Sequence, residues 1–443
     1  MNKVITLVVS LALLPLSNVF AEGYQLNGQS AKQTGMGNAG VALKLGAESM
    51  HFNPAGLGFM DKTIDLSAGF AAIFPTAEFS SPEGGQTYKT QKKASTPIYF
   101  YGGFKIYDFL SAGVSVTNPY GSSINWGKNW PGAGLVQDIS LKSFSVQPTL
   151  AFKIGERLSL GAGMMIIFGD FSLSRALVTS ADLATIAEVN PPLKPLADKY
   201  KEISPVSATL SGDAGVKMGF NVGAMFDVTD QITLGMSYRS KVQMAVNEGI
   251  AVVSYANESE LKPILGNNIP PLDKGTFKAE LPLPSNFTIG LSYKPMERLS
   301  LTSEVQFVGW GTYKELNVKF SQEVLDGKYS INAPKEYKNS RVYRLAGQYA
   351  ATNRLDLRLG FYLDETPVKD DFLNPETPSM NKLGTAVGLS FRPTERLSID
   401  VAFAYITGFG RDGSYTDQVS KATFGGHYEV VALNPTIGLS YSF

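Results

Sequence analysis

The chain of 443 residues contains no cysteine, only two histidines, and 39 acidic and 39 basic side chains. Without cysteine the fold depends on no disulfide, which suits a chain that crosses an oxidising periplasm. His51 and His427 have no metal-spaced partner and no nearby hydrolase motif, and GMGNAG at 35–40 is not a dinucleotide-binding glycine pattern, so no metal or cofactor is expected. The balanced charge does not indicate a nucleic-acid partner. After residue 21 no run of 18 apolar residues occurs, which excludes a transmembrane helix.

Residues 1–21, MNKVITLVVSLALLPLSNVFA, begin with a short n-region that contains Lys3. An apolar h-region follows, and small or apolar residues precede Ala21. This order is typical of a secretory signal peptide. We therefore expect the mature chain to begin at Glu22, with an N-terminal segment at 22–61 and one large domain at 62–443.

Alternation of apolar and polar side chains is the main structural signal in the large domain. In VALNPTIGLSYSF at 431–443, and again at 355–363 and 397–405, residues of one parity are predominantly apolar and those of the other mostly small or polar. A soluble β-sandwich has similar strands. Here, however, successive long strands carry apolar faces without β-rich partner segments to cover them. That pattern behind a signal peptide is typical of an outer-membrane barrel whose apolar face contacts membrane lipids.

A recurrent turn predicts the number of strands. RPTERLSID at 392–400 has near copies at 294–302 and 153–161, and related turns occur at 107–111, 229–233 and 352–356. Bacterial barrels have short periplasmic turns and long extracellular loops. Six such turns, with both termini on the periplasmic side, predict an all-β fold: a 14-stranded antiparallel transmembrane β-barrel. Long extracellular loops are expected at about 174–213 and 247–285.

The N-terminal segment is rich in glycine and serine, contains HFNPAGL at 51–57, and is predicted to form turns and short helices. A barrel of 14 strands has an interior wider than its own side chains fill. We expect this segment to be a plug in the lumen.

The stretch GYQLNGQSAKQTGMGNAGVAL at 23–43, followed by FNPAGL at 52–57, resembles the N-terminal hatch of the FadL family. These proteins are outer-membrane importers of long-chain fatty acids and other hydrophobic compounds, and the similarity continues to the terminal YSF. The resemblance implies a 14-stranded barrel, a hatch with the motif Asn53, Pro54 and Ala55, and substrate that leaves sideways into the membrane.

The fifth strand is the main candidate for the binding pocket. The turn before this strand sets its parity, which directs the apolar residues of its upper half towards the lumen. This lumen-facing row ends in a cation. Its ligand-binding candidates are Met165, Ile167, Phe171, Leu173 and Arg175. Contact with the plug is the structural alternative. Arg175 has the charge to bind a carboxylate by charge-assisted hydrogen bonds, and the resemblance implies that role for it. The resemblance also implies a second cation near Lys335 or Lys338.

The third strand runs into Asn118, Pro119, Tyr120 and Gly121. Pro119 has no N–H to give to a sheet, and Gly121 tolerates unusual backbone angles. An ordinary strand end at a loop would look similar, whereas the resemblance implies an inward kink and a lateral exit at this place. The apolar pieces in the two long loops either form a capture groove or pack on each other.

These features together indicate which function and which partners to expect. The expected function is passive import of long-chain fatty acids or similar hydrophobic molecules; import of aromatic hydrocarbons is the alternative. A general diffusion porin would need an open aqueous lumen, whereas the sequence predicts a plug and an apolar lumen wall. An enzyme is not expected, because the two histidines have no catalytic motif beside them. We expect a monomer in the bacterial outer membrane, with recognition by the barrel-assembly machinery through Phe443.

Overall fold

The computed structural model describes residues 23–82, 85–321, 324, 330–418 and 421–443. The expected signal peptide lies outside the described residues. Antiparallel strands follow one another around a closed barrel, and the ring closes where Ile64–Ala71 pairs with the last strand, Thr423–Ser442. The predicted fold and the number of strands are confirmed.

The barrel strands differ in length, and four of them are interrupted. They are β1 (Ile64–Ala71 and Phe74–Ser80), β2 (Ile98–Tyr107), β3 (Leu110–Thr117 and Gly121–Asn125), β4 (Asp138–Ile154), β5 (Leu158–Val178), β6 (Val206–Asp227), β7 (Ile232–Arg239 and Val242–Tyr255), β8 (Thr276–Leu283 and Asn286–Met296), β9 (Leu299–Val308), β10 (Ser340–Thr352), β11 (Leu355–Asp364), β12 (Lys382–Phe391), β13 (Leu397–Gly408) and β14 (Thr423–Ser442). Shorter strands at the long-loop end are Thr87–Lys89, Glu315–Phe320, Ile331–Pro334 and Arg411–Thr416.

All six predicted turns join consecutive strands at one end of the barrel. Two of them show why the sequence recurs. The hydroxyl oxygen of Thr394 accepts the N–H of Leu397 at 3.1 Å, and that of Thr229 accepts the N–H of Ile232, also at 3.1 Å. Such side-chain bonds close a short turn locally, so a threonine three residues before the first apolar residue of the next strand is favoured there.

The two faces of the wall follow the predicted alternation. On β5, Leu160, Met164 and Phe168 point outward and are 43%, 45% and 39% exposed, whereas Ser159 and Met165, which have the opposite parity, are buried. Exposed aromatic side chains lie at the short-turn end, among them Tyr107, Phe109, Tyr441 and Phe443. No helix in the described part of the chain is both long and apolar enough to cross a bilayer.

The two long loops are shorter than the expected 174–213 and 247–285, because β5, β6, β7 and β8 extend well beyond the predicted ends. Between the strands lie α1 (Ser180–Val189) and α2 (Lys194–Lys199) in one loop and α3 (Glu258–Leu265) in the other. Apolar side chains of both loops pack on each other, including Leu183, Leu196, Leu261 and Leu265. This packing is the alternative to an open groove.

Polar contacts tie the same two loops together. Lys199 donates to Glu260 at 2.5 Å and the Tyr200 hydroxyl donates to the same carboxylate at 2.6 Å. Both hydrogen bonds lower the pKa of Glu260. α1 begins with a capping box, in which Thr179 and Asp182 satisfy each other's N–H groups. The loops are therefore folded elements and not loose connections.

Residues 23–60 of the N-terminal segment pack against the inner faces of strands on all sides of the barrel. The carboxylate of Glu304 on β9 accepts the N–H groups of Gly40 and Val41, both at 2.9 Å. On the other side, Lys32 pairs with Glu48 at 3.2 Å and Asp400 of β13 at 3.8 Å. Inner-face glycines leave room for the segment's backbone or side chains; they include Gly113, Gly161, Gly223, Gly235, Gly360 and Gly388.

Candidate functional site

A cavity of about 810 Å³ with a mostly apolar lining lies in the described part of the lumen, and we call it the apolar cavity. Ligand pockets in proteins commonly have about 300–1,000 Å³ and mostly apolar walls. Its wall comes from strands on one side of the barrel, and the apolar side chains include Ile139, Leu141, Phe171, Met244, Val246, Leu281 and Leu283. Tyr24 and Tyr313 complete one end.

A buried ion pair stands at the edge of the apolar cavity. Lys335 is 2% exposed, and its ammonium donates to the Glu376 carboxylate at 2.5 Å. The same ammonium lies 5.8 Å from the centre of the Tyr415 ring. Burial raises the pKa of Tyr415, and the charge of nearby Arg175 works against that rise. Two cations therefore flank one tyrosine at the long-loop end of the lumen.

β3 is broken at Asn118, Pro119 and Tyr120, and we call these three residues the kink. The N-terminal segment supplies the hydrogen bonds that the ladder has lost there. Leu26 N–H donates to the Pro119 carbonyl at 3.0 Å, and Gly121 N–H donates to the Tyr24 carbonyl at 2.9 Å. The Asn118 side chain bridges its neighbours, since its amide nitrogen donates to the Ser143 carbonyl at 2.7 Å and its oxygen accepts Ile98 N–H. The kink is thus held inward.

A second space lies beside the kink and is called here the kink cavity; it has a volume of about 1010 Å³. Residues 25–27 form one wall and residues 121–124 another. In the described chain this upper half of β3 has a strand partner on β4 only, because β2 pairs with Leu110–Thr117. The wall of the barrel is therefore interrupted between β2 and the upper half of β3. Ser122 and Thr377 line both this cavity and the apolar cavity.

Two further spaces lie between the N-terminal segment and the wall. A polar cavity of about 510 Å³ is lined by amide, hydroxyl and charged groups of β6 to β10 and of the segment. A smaller pocket of about 290 Å³ lies against Pro119 and Tyr120 of the kink. Arg239 and His51 line both spaces, and Leu283 joins the smaller pocket to the apolar cavity. Each of the four spaces therefore shares lining residues with at least one of the others.

The structure distributes the predicted ligand-binding residues over these spaces. Phe171 and Lys335 line the apolar cavity, and Met165 and Ile167 line the smaller pocket at the kink. Leu173 is buried in the lumen core. Arg175 is half-buried and lines none of the described cavities. The apolar lumen face of β5 is thus shared between two spaces.

The motif Asn53, Pro54 and Ala55 joins the segment to the wall. Asn53 is fully buried, accepts Ala55 N–H at 3.1 Å and donates to the carbonyls of Val41 and Ala224 at 2.7 and 3.1 Å. Proline at the start of the turn Pro54–Phe59 gives up an N–H that would have no helical partner. Asparagine is suited to this position because its amide both donates and accepts.

Sequence reasoning did not anticipate the contribution of Tyr24, Arg239 and the β7 and β8 side chains. Tyr24 is buried among aromatic rings, with Trp310 4.6 Å away in an edge-to-face arrangement. An aromatic residue just after the predicted cleavage site was the only available signal for it. Leu281 and Leu283 lie within the loop expected at 247–285, so parity was not applied to them.

A closed 14-stranded barrel with an apolar outer belt and an apolar lumen cavity defines an outer-membrane channel for hydrophobic molecules. The model of the family described as outer membrane protein transport protein (OMPP1/FadL/TodX) matches residues 13–443, and the chain belongs to this family. It is an outer-membrane transporter of hydrophobic compounds and not an enzyme.

Relatives and solved structures agree with this assignment. The 47 kDa outer membrane protein of Pasteurella multocida is 24% identical over 434 residues, covering 95% of this chain and 96% of that protein. The long-chain fatty acid transport protein of Escherichia coli is 23% identical over 418 residues, covering 91% and 90%. A Pseudomonas aeruginosa FadL homologue has the same fold, with a TM-score of 0.77, 20% identity and coverage of 95% and 100%. The P. putida toluene transporter TodX has a TM-score of 0.67 and 15% identity, with coverage of 96% of this chain and 99% of that chain.

Proposed function

We propose that this protein passively imports long-chain fatty acids or similar amphipathic hydrophobic molecules across the outer membrane. Substrate is captured at the long loops, moves into the apolar cavity, and leaves sideways through the gap beside the kink. The observation that carries the proposal is the apolar cavity itself, with the buried Lys335–Glu376 pair at its edge. The N-terminal segment serves as the hatch that closes the lumen to water.

The charged edge of the cavity favours an anionic substrate. A substrate carboxylate that reaches Lys335 takes the place of Glu376. The Lys335 ammonium therefore has an anionic partner before and after the exchange. Arg175, whose charge also acts on Tyr415, attracts the carboxylate as it comes from the loops. A porin would need an open aqueous lumen, which the contacts of the N-terminal segment oppose.

Lateral release has an energetic reason. Each methylene that leaves an apolar environment for water costs about 0.8 kcal/mol, so a long acyl chain loses on the order of 10 kcal/mol if it falls into the periplasm. The gap between β2 and the upper half of β3 leads from the kink cavity into the hydrocarbon layer and avoids that loss.

Aromatic hydrocarbons are the second candidate, because Tyr24, Tyr313, Tyr337 and Trp310 form edge-to-face pairs beside the apolar cavity. Such a cluster suits a flat ligand as well as an acyl chain. TodX, of similar fold, is described as a toluene transporter.

The two substrates are distinguished by binding measurements on purified protein. We expect oleate to bind more tightly than toluene, and Lys335→Ala to weaken oleate binding by about tenfold, the loss of one charge-assisted hydrogen bond, with little effect on toluene. Arg175→Ala should slow oleate uptake. Equal oleate affinity in Lys335→Ala and the unaltered protein would remove Lys335 from the site, and tight toluene binding without oleate binding would favour the second candidate.

The exit is tested by Pro119→Val combined with Gly121→Val. A Cβ at Gly121 would lie 2.8 Å from the Leu26 side chain, and valine at 119 restores an N–H that the ladder can use. We expect oleate uptake by cells to fall severely while oleate binding persists, because the path beyond the cavity is closed. Unchanged uptake in a properly folded double variant would exclude this exit. Val116→Ile on the regular part of β3 is the control.

A further inference from the structure

Arg239 differs from the other cations that lie around the N-terminal segment. Lys32, Arg344, Arg358 and Lys335 each have a carboxylate partner: Glu48, Glu304, Asp356 and Glu376 respectively. Within the described chain Arg239 has none. One of its terminal nitrogens donates to the His51 carbonyl at 2.6 Å and lies 3.3 Å from the His51 ring, and its Nε has no hydrogen-bond partner among the described residues.

The position of Arg239 in the fold places its charge beside two of the described cavities. It is the last residue before the interruption of β7, and its register partners are Asn221 on β6 and Asn286 on β8. Its side chain lines both the polar cavity and the smaller pocket, the latter together with Pro119, Tyr120 and Ile167. The guanidinium therefore stands between a polar space and the apolar route past the kink.

Neighbouring groups do not neutralise this charge. The titratable groups that line the polar cavity with Arg239 are His51, Glu304 and Arg344. Glu304 is already engaged by Arg344 at 3.2 Å and by the N–H groups of Gly40 and Val41. Arg239 is half-buried. A cation that is partly removed from water without a counter-charge is costly, and an anion with oxygen acceptors relieves that cost.

We infer that Arg239 binds the carboxylate of a substrate as it passes from the apolar cavity to the kink, so that the head group is held in the polar cavity while the acyl chain enters the gap. This inference rests on the proposed function. Its physical basis is that Lys335 must exchange Glu376 for the substrate, whereas Arg239 has no competing carboxylate in the described chain. Lys335 and Arg239 then form successive positions for one carboxylate along the route. A free small carboxylate such as acetate has the same chemistry.

The test compares uptake of radiolabelled oleate with that of octadecanol, which has the same chain length and no charge, in cells that lack other transporters of this kind. For Arg239→Gln we expect oleate uptake to fall about tenfold, as for one lost charge-assisted hydrogen bond. Octadecanol uptake should change by less than about twofold, and Arg239→Lys, which keeps the charge but not the planar fork, should recover most of the oleate uptake. Arg341→Gln, at an exposed position on β10, is the matched control for the loss of one positive charge.

The outcomes separate this inference from the proposed function. If Arg239→Gln takes up oleate as fast as the unaltered protein, or loses oleate and octadecanol uptake equally, Arg239 has no carboxylate role. If the unaltered protein takes up neither compound, the proposed function fails first. A large excess of acetate distinguishes the sources: slower oleate uptake in the unaltered protein but not in Arg239→Gln indicates a site open to any small carboxylate, and no slowing indicates one reached only with an acyl chain. Should Arg239→Gln not fold, Arg239→Lys against Arg239→Met provides the same comparison.

Discussion

Oxidation of the double variant Gln25→Cys with Tyr120→Cys is expected to stop uptake, and reduction to restore it. Gln25 and Tyr120 are antiparallel bridge partners, flanked by the hydrogen bonds Leu26–Pro119 and Gly121–Tyr24. In such a pair the two Cα atoms lie about 4.5 Å apart, close enough for a disulfide. The bond would fix the N-terminal segment on the kink, between the apolar cavity and the kink cavity. The measurement is oleate uptake by cells before and after treatment with dithiothreitol.

The absence of native cysteine makes this comparison clean. The single variants Gln25→Cys and Tyr120→Cys are the controls, and neither should respond to oxidant. Undiminished uptake in a double variant whose disulfide is demonstrated by mass spectrometry would mean that substrate does not pass this contact. Oleate binding in the apolar cavity should persist in the locked protein, which would place the block after binding.

The wall of the barrel was predictable because its determinants are local. Threonine, charged and polar residues close each short turn within five residues, and the turn then sets the parity of the next strand. On β5 this parity correctly placed Leu160 and Met164 outside and Ser159 and Met165 inside. A strand with alternating apolar and polar residues can be recognised without knowing which strands lie beside it, because lipid covers the apolar side chains that face outward.

The upper lumen was less predictable because the regular ladder ends there. The pairing of β5 with β6 shifts between Ile167 and Gly169 and again between Ala176 and Val178. The first shift adds a residue to β6, so its buried lumen-side residues change from odd positions, such as Asn221 and Met225, to even positions, such as Ala208 and Leu210. The inward residues of upper β6 therefore do not follow from the turn at its lower end. A bulge has no compositional signature strong enough to be read from one sequence.

Arg239 illustrates a different difficulty. In the sequence it stands in SYRSK, at the end of an alternating stretch, and looks like any polar residue at a rim. Whether a cation is neutralised depends on which carboxylates lie opposite it, and in this fold they come from strands and segments distant in sequence. Glu304, for example, is 40 residues from its partner Arg344 and more than 260 residues from Gly40. The charges were visible in the sequence, and their pairing was not.

Replacement of Gly161 by valine is expected to open the lumen to ions. Gly161 lies on the inner face of β5, where a Cβ would be 2.3 Å from the carbonyl carbon of Pro54, an approach that no side chain allows. Because the clash is with backbone at the start of the turn Pro54–Phe59, rotation of a side chain does not relieve it. The N-terminal segment must withdraw from β5, and with it the contact between Ser159 and the Ala55 carbonyl, now 2.7 Å, is lost.

Planar-bilayer recordings measure the effect. We expect the unaltered protein to pass little current and Gly161→Val to give large, steady single-channel currents, because a 14-stranded barrel without material in its lumen is wide enough for water and ions. Gly215→Val on the adjacent strand β6 is the matched control, since nothing lies within 4 Å of a Cβ at that position. Equal currents from both variants would point to general loosening of the wall, and a Gly161→Val barrel as closed as the unaltered protein would show that Pro54 does not hold the lumen shut.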